Sequence, residues 1–339
     1  MYLTITTQEK NIMISEFGSL VLGNDELLRI GIGTGAHWSS FTWGKQSRQD
    51  SIKAIQLSLE EGIRFIDTGA MYGKGYVEEL IAEAIKGYRN KAFIATKIPE
   101  IMLQEGKIEE ACDASLKRLD TDFIDLYQIH WINDLVDKDY VISELIKIKE
   151  KGKVRSLGMG NCGLQTMKKF PKDFVTNQLP YSLVWRGIEN EILNSYGRYL
   201  DANIFYYCLG QGLLSGKYTN LDEFPNSRKR TRLFNKKIVN ARHLENGYEN
   251  ELQNFLGGFK SLCDEYKVNP TYAALGWILY RVPNSIALVG LRNVDQVKEV
   301  SRMIKINDTF YEKLTKVSEE LKNAVGSKLD LWDSEERIK

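Results

Sequence analysis

Residues 61–73 read Glu61-Gly62-Ile63-Arg64-Phe65-Ile66-Asp67-Thr68-Gly69-Ala70-Met71-Tyr72-Gly73. A short β-type run, Phe65-Ile66, ends on Asp67. A carboxylate at the end of an apolar strand is costly to bury unless something pairs with it. Thr68, Gly69 and Ala70 are small and turn the chain, and Tyr72 follows them. Beyond Gly73 and Gly75, the apolar positions Val77, Leu80, Ile81, Ala84 and Ile85 recur at helical spacing. The stretch therefore reads as strand, loop, helix, with an acid and a phenol at the carboxyl end of the strand. That end is where α/β proteins bind ligands. Alone, the two residues equally suit a helix-capping Asp and a surface Tyr, so the neighbouring segments must decide.

On both sides the same alternation repeats. Residues 14–29 read as a hairpin, with apolar runs at Ser19–Leu22 and 27–30 and a Gly23-Asn24-Asp25 turn between them. Strands are expected at 29–33, 64–67, 92–97, 124–130, 154–159, 174–178, 204–208 and 286–289. Helical periodicity fits segments between them, including 52–59, 108–119, 141–148 and 188–200. Asn269 followed by Pro270 reads as an N-cap with proline at the first helical position, opening a helix over 272–280. Asn293 with Gln296 three residues on resembles a capping box opening 294–304. A last amphipathic segment, 308–324, has no strand after it. Eight βα units are the count of a (β/α)8 TIM barrel, here with an N-terminal β-hairpin and extra C-terminal helices. An open doubly wound sheet usually needs only five or six strands. The organisation expected is a flexible N-terminus over 1–13, one barrel domain over 14–326 and a C-terminal tail over 327–339. Within the barrel, the longest irregular stretch is 219–250. It holds Arg228-Lys229-Arg230, Arg232 and Lys236-Lys237, and reads either as a functional lid or as a solvated charged loop.

Composition narrows the function. The 339 residues are 43% hydrophobic and 27% charged with a net charge of +1, so no bulk attraction to nucleic acid is implied. No apolar run reaches the ~18 residues of a membrane span, and residues 1–11 lack the apolar core of a signal peptide. Cys112, Cys162, Cys208 and Cys263 are far apart with no C-x-x-C, which suggests neither a zinc site nor a disulfide framework. Free thiols fit a reducing cytoplasm. With only His37, His130 and His243, a histidine-rich metal site is not expected.

Gly158-Met159-Gly160-Asn161-Cys162-Gly163 matches G-x-G-x-x-G after a strand. The acid that a dinucleotide fingerprint wants about 20 residues on is replaced by Asn177 and Gln178, and the match lies inside an unbroken βα series. It is discounted. Two further polar residues do end strands: Lys97 closes the run at 92–96, and His130 closes the run at 124–129. In a barrel, Asp67, Tyr72, Lys97 and His130 would converge on one mouth from three consecutive strand ends. A free tyrosine has a pKa near 10, and a neighbouring ammonium stabilises its phenolate. The expectation is that Lys97, kept charged by Asp67, lowers Tyr72, while His130 orients a substrate oxygen. Such a set is a proton donor aimed at a carbonyl and lacks only a hydride source.

With these residues the chain resembles the aldo-keto reductase superfamily, over nearly its whole length. The stretch from Gly62 to Gly73 looks like the family's first signature, and Lys97 and His130 match its remaining catalytic positions. Gln178 with Tyr181 looks like its Gln-x-x-Tyr segment, in which the Gln holds the nicotinamide amide and the aromatic residue can stack on the ring. Gln211-Gly212-Leu213-Leu214-Ser215-Gly216-Lys217-Tyr218 resembles the loop crossing the cofactor pyrophosphate. Gly290-Leu291-Arg292-Asn293 through Gln296 resembles the segment holding the adenosine 2′-phosphate. The resemblance implies a (β/α)8 barrel, an NADP(H)-dependent reductase of aldehydes and ketones and Asp67, Tyr72, Lys97 and His130 as catalytic residues. It also implies cofactor contacts from Asn161, Gln178, Tyr206, Leu209, Gln211, Gly212, Leu214, Gly216, Lys217, Gly290, Arg292 and Gln296. The initial hairpin and long loops resemble the bacterial, archaeal and potassium-channel-β-like branches.

Some of these residues make sense without the family. A helix N-terminus at 293–296 attracts phosphate, and Arg292 adds a planar charged fork suited to it. Gly210, Gly212 and Gly216 let a backbone approach a pyrophosphate closely. The chain also departs from the family pattern. Gly160 stands where the family has a Ser that contacts the carboxamide. Tyr206-Tyr207-Cys208-Leu209 replaces Tyr-Ser-Pro-Leu, and Glu299-Val300 replaces Glu-Asn.

Aromatic residues gather in the expected mouth loops: His37, Trp38 and Trp43, then Trp131, then Trp185 beside Arg186. They read as an apolar wall for a carbonyl or alcohol substrate, with Trp38 and Trp131 as its contacts, or as fillers of the barrel rim. Arg186 and the basic loop add a negatively charged or sugar-like substrate to the expectations. Two other functions suit parts of the pattern. One is a cofactor-sensing regulatory subunit of the channel-β type. The other is an aldolase- or isomerase-like barrel, which would want a Schiff-base lysine and no dinucleotide loops.

Overall fold

Eight short runs rich in Ile, Leu, Val and Phe form the parallel strands of a closed barrel in the computed structural model, which describes residues 17–195 and 200–338. A two-stranded hairpin precedes it: β1 (Ser19–Leu22) pairs antiparallel with β2 (Asp25–Leu28), Leu22 opposite Asp25. The barrel strands are β3 (Ile30–Gly33), β4 (Phe65–Asp67), β5 (Phe93–Ile98) and β6 (Ile124–Ile129), followed by β7 (Val154–Gly160), β8 (Phe174–Pro180), β9 (Ala202–Tyr206) and β10 (Ser285–Val289). They follow one another in sequence order, and β10 closes on β3 with Ala287 opposite Ile30. The expected flexible segment 1–13 lies outside the described residues.

The hairpin plugs the barrel floor. Leu20, Leu22 and Leu27 cluster with the inward side chains Phe65, Phe93, Leu126, Ile204 and Ile286. Phe65 and Phe93 stack with ring centroids 5.4 Å apart. Each fully buried leucine contributes about 1.5–3 kcal/mol. Buried Arg29, at the hairpin's exit, donates to the carbonyls of Leu279 and Val282, both at 2.6 Å, and so ties the end of the helix Pro270–Arg281 to the floor. The second core lies between the strands and the outer helices.

Several expected elements differ from what forms. The segment expected as one helix over 188–200 is a 3-10 turn, Gly187–Glu189, followed by one helical turn, Ile192–Ser195, with 196–199 outside the described residues. The crossover after β7 is also one turn, Leu164–Met167, because Pro171 soon afterwards cannot continue it. The C-terminal helix is two helices, Asp308–Val317 and Glu319–Val325, meeting at Ser318. The strand expected over 204–208 stops at Tyr206, because Tyr207 adopts a φ of +64°. An unanticipated long helix, Glu249–Tyr266, follows the long loop.

Candidate active site

The carboxyl ends of the strands surround a mouth cavity of about 490 Å3. At its base lies a buried ion pair. Asp67, the last residue of β4, is 2% exposed, and Lys97, near the end of β5, is 1% exposed. Lys97 Nζ donates to both Asp67 oxygens at 2.8 and 2.7 Å and to the Thr68 carbonyl at 2.6 Å. In the register of β4 on β5, Asp67 is opposite Ala95, so Lys97, two residues further on, points to the same face of the barrel one step nearer the mouth. Gln178 Nε2 donates to Asp67 Oδ1 at 2.7 Å, and Gln128 Nε2 approaches the same oxygen at 3.4 Å.

Tyr72 sits above this pair. The Lys97 ammonium lies 5.2 Å from its ring centroid. The His130 ring meets Tyr72 edge to face at 6.0 Å, and both line the cavity. Burial alone would lower the Lys97 ammonium, but Asp67 and Tyr72 outweigh it and hold it above its ordinary value. Burial, and then the charge of Lys97, depresses His130 to about 3, so it is neutral at ordinary pH. Tyr72 corrects the sequence expectation. Its pKa is raised, because burial outweighs the Lys97 charge and Asp67 adds to the rise. The group is a protonated phenol at neutral pH.

From this base the cavity extends as a trough towards the start of the helix Val294–Ser301. Asn161, Gln178, Tyr206, Leu209, Gln211, Gly212, Lys217, Gly290, Arg292 and Gln296 all line it, as expected. Leu214 and Gly216 do not. Leu214 is fully buried, and Gly216 is where the loop packs onto Pro270. Asn293 accepts from the Gln296 N–H at 3.0 Å, while Gln296 Oε1 reaches back to the Arg292 N–H at 2.8 Å. Arg292 spans to the carbonyls of Trp43 at 2.6 Å and Gly44 at 3.1 Å. Arg228, from the long loop, lies 5.0 Å over the Trp43 ring and donates to the Thr42 and Gln211 carbonyls. Burial, then Arg228, lowers the Arg292 pKa. Among the described residues neither guanidinium has an acidic partner, so two cations face the trough without neutralisation. The long loop is therefore folded across the cavity rather than simply solvated.

At Gly160 a Cβ would lie 2.6 Å from the Ile129 carbonyl oxygen, so this backbone leaves no room for the serine of the family pattern. Asn161, with a φ of +56°, turns its side chain instead: Nδ2 donates to the His130 carbonyl at 3.0 Å, and Oδ1 accepts from the Tyr206 hydroxyl at 2.8 Å. Tyr206 is thus the aromatic wall of the trough. Tyr181, expected as a stacking residue, is fully buried, bonds Glu189 at 2.7 Å and packs against Phe205 and Trp277. Val300 is buried away from the cavity.

The substrate end differs most from expectation. Trp131 lines the cavity, whereas Trp38 is 49% exposed and packs over Gly73 outside it. Trp185 is fully buried. Arg186, offered as an anion contact, is 2% exposed and committed to Glu189 at 2.8 Å and Glu319 at 2.8 Å. Trp43 and Trp332 complete the aromatic wall. Sequence reasoning passed over Trp332. Its signal was the run Leu329-Asp330-Leu331-Trp332, too apolar for a frayed tail. No cluster of His, Cys, Asp or Glu able to hold a metal occurs among the described residues, and none of their helices is long and apolar enough to cross a membrane.

Comparison with known proteins agrees with this geometry. The sequence model of the Aldo/keto reductase family matches residues 29–319. Aldo-keto reductase YhdN of Bacillus subtilis (strain 168) is 31% identical over 301 residues, covering 85% of this chain and 88% of that one. Aldo-keto reductase yakc [NADP(+)] of Schizosaccharomyces pombe is 28% identical, covering 84% and 86%. Among solved structures, the glycerol dehydrogenase AKR11B4 from Gluconobacter oxydans superposes with a TM-score of 0.75 at 28% identity, covering 91% of this chain and 96% of that one.

Proposed function

The chain belongs to the aldo/keto reductase family, and from that premise we propose that it interconverts aldehydes or ketones and their alcohols, with NADP(H) as cofactor and Tyr72 as proton donor. The observation that carries the reading is that Tyr72, Lys97, Asp67 and His130 share one base, with a cationic trough leading away from it.

The trough fits a dinucleotide. Gln211 Oε1 and Arg292 Nε are buried there without a partner, and Gly212, at a φ of +104°, turns a side-chain-free backbone to the cavity. Arg228 and Arg292 offer donors to phosphate, and the N-terminus of the helix Val294–Ser301 adds partial positive charge. The relative from S. pombe carries NADP(+) in its name. Tyr206 provides a flat face for the nicotinamide, and Gln178, whose Nε2 is held by Asp67, leaves its oxygen to accept from the amide. When bound, the reduced nicotinamide supplies the hydride.

The protein residues handle the proton. Neutral His130 donates to the carbonyl oxygen and sets its angle. Tyr72 gives that oxygen its proton, and the phenolate left behind is met by an ammonium already fixed by Asp67 and the Thr68 carbonyl. Titration with NADPH and NADH by calorimetry tests the cofactor reading. A phosphate held by charge-assisted bonds is worth ~1.5–3 kcal/mol, so NADPH is expected to bind roughly 10–100-fold tighter, and Arg292→Ala to erase most of the difference. Equal affinities would remove the 2′-phosphate assignment, and binding of neither cofactor would remove the reductase reading.

The substrate is a neutral carbonyl compound with an apolar or aromatic body. Trp131 and Trp332 wall that end of the cavity, and Arg186 is occupied elsewhere. Benzaldehyde is expected to show a kcat/KM at least about tenfold above that of 4-carboxybenzaldehyde, the cost of bringing a carboxylate to a site with no free cation. Equal values would point to a cation that reaches the substrate.

A further inference from the structure

Tyr72 opens a turn whose backbone is left-handed for three residues running: Gly73 at a φ of +62°, Lys74 at +57° and Gly75 at +96°. Lys74 carries a side chain, so its conformation is strained, and such strain persists only where the surroundings fix it. The helix Tyr76–Ala84 then starts from Gly75 with no side-chain cap. Two contacts supply the constraint. The stem of Arg118, in the last turn of the helix Ile108–Leu119, lies against Gly75, where any side chain would collide with Arg118 Cδ. Arg118 Nε donates at 2.6 Å to Glu78 Oε2, in the first turn of the helix that follows Gly75.

Glu78 is fully buried, and its other oxygen accepts from the Thr96 hydroxyl at 2.6 Å. Thr96 and Lys97 are consecutive on β5, so their side chains point to opposite faces of the strand. Lys97 points inward to Asp67, and Thr96 points outward to Glu78. One carboxylate therefore joins the turn that carries Tyr72 to the strand that carries Lys97, across the barrel wall. Glu78, Thr96 and Arg118 do not line the cavity. A carboxylate taken so fully out of water is costly. The helix already buries Val77, Leu80 and Ile81 and does not need Glu78 for packing.

We propose that Glu78 and Arg118 are positioning residues for the reaction: bridged to Thr96, they fix the strained turn after Tyr72 and so set the phenol against the Lys97 ammonium. The inference rests on the reductase reading, in which Tyr72 delivers the proton. Loss of the bridge then acts on turnover through Tyr72 alone.

The test places Arg118→Met and Thr96→Val singly in the wild type and in Tyr72→Phe. NADPH calorimetry, thermal melting, kcat with benzaldehyde and hydrogen exchange over 70–78 are measured for each. The expected kcat loss in the wild-type background is roughly 10–100-fold at unchanged NADPH affinity, since a displacement of about 1 Å is enough. In Tyr72→Phe the same substitutions should cost nothing further, because the group they position is gone. The Tyr72 N–H, which donates to the Gly69 carbonyl at 2.9 Å, should exchange faster in both variants while β6 and β7 keep their protection. Equal losses in the two backgrounds would show a general structural role and overturn the proposal. So would an unchanged kcat, or unchanged exchange at the turn. If Arg118→Met does not fold, because it strands the Glu78 carboxylate, Thr96→Val decides by the same criteria, since it keeps the ion pair and the side-chain shape. A wild type that binds NADPH yet does not reduce benzaldehyde defeats the reductase reading alone, and exchange at the turn still judges the bridge.

Discussion

Tyr72→Phe is expected to bind NADPH as the wild type does and to lose turnover by about 10²–10⁴-fold, the range over which a positioned general acid acts. The substitution removes one oxygen and leaves the ring against His130, 6.0 Å away. The Lys97–Asp67 pair and the cationic trough keep their partners. kcat and kcat/KM should fall together, because the lost interaction is made as the carbonyl oxygen takes its proton. Retained kcat would mean that another group, His130 being the nearest, delivers that proton. The pH dependence follows from the same geometry. His130, depressed to about 3, stays neutral above that value. Tyr72, raised above its ordinary value of 10.0, stays protonated below it. Neither group should impose a bend on the carbonyl-reduction rate between about pH 5 and 9. A limb with a midpoint near pH 6–7 would show that His130 is more hydrated than its burial implies.

Lys97→Met is expected to abolish most turnover and also to destabilise the fold by ~3–5 kcal/mol, because it strands a buried carboxylate. Asp67 would retain Gln178 and Gln128 but no cation. Urea unfolding at an unchanged m-value reads the loss as a lower midpoint. Lys97→Met combined with Asp67→Leu should recover much of the stability and none of the activity, since replacing both charges by apolar groups removes the desolvation cost along with the attraction. A loss below ~1 kcal/mol in the single variant would show that solvent reaches Asp67. The sign with pH is fixed as well. Folding raises the Lys97 proton affinity, so this contribution is complete below the ordinary lysine value of 10.5 and is lost as pH rises through the folded value.

Much of the site was legible because its signals are local. Asp67, Lys97 and His130 stand at the ends of apolar runs, and β-strand geometry carries each such end to the same rim. The Asn269–Pro270 and Asn293–Gln296 signals also depend on a few consecutive residues, and both caps form: Asn269 accepts from the Thr271 N–H at 2.8 Å, Asn293 from the Gln296 N–H at 3.0 Å. Tyr181 and Arg186 fall on loops, where no period tells which way a side chain turns. Both turn into a buried network with Glu189, away from the cavity.

The amino-acid sequence by itself determined the order of the strands, the initial hairpin and the three strand ends that carry acid, ammonium and imidazole, because periodicity and turn signals act over a few residues. Only the tertiary structure decided how deeply those groups are desolvated, and hence that burial overrides the Lys97 charge and raises rather than lowers Tyr72. Tertiary structure alone also brought Arg228 and Trp332 from distant parts of the chain to the cavity. Burial and long-range contact are properties of the closed barrel, set by segments hundreds of residues apart, and no short window of sequence contains them.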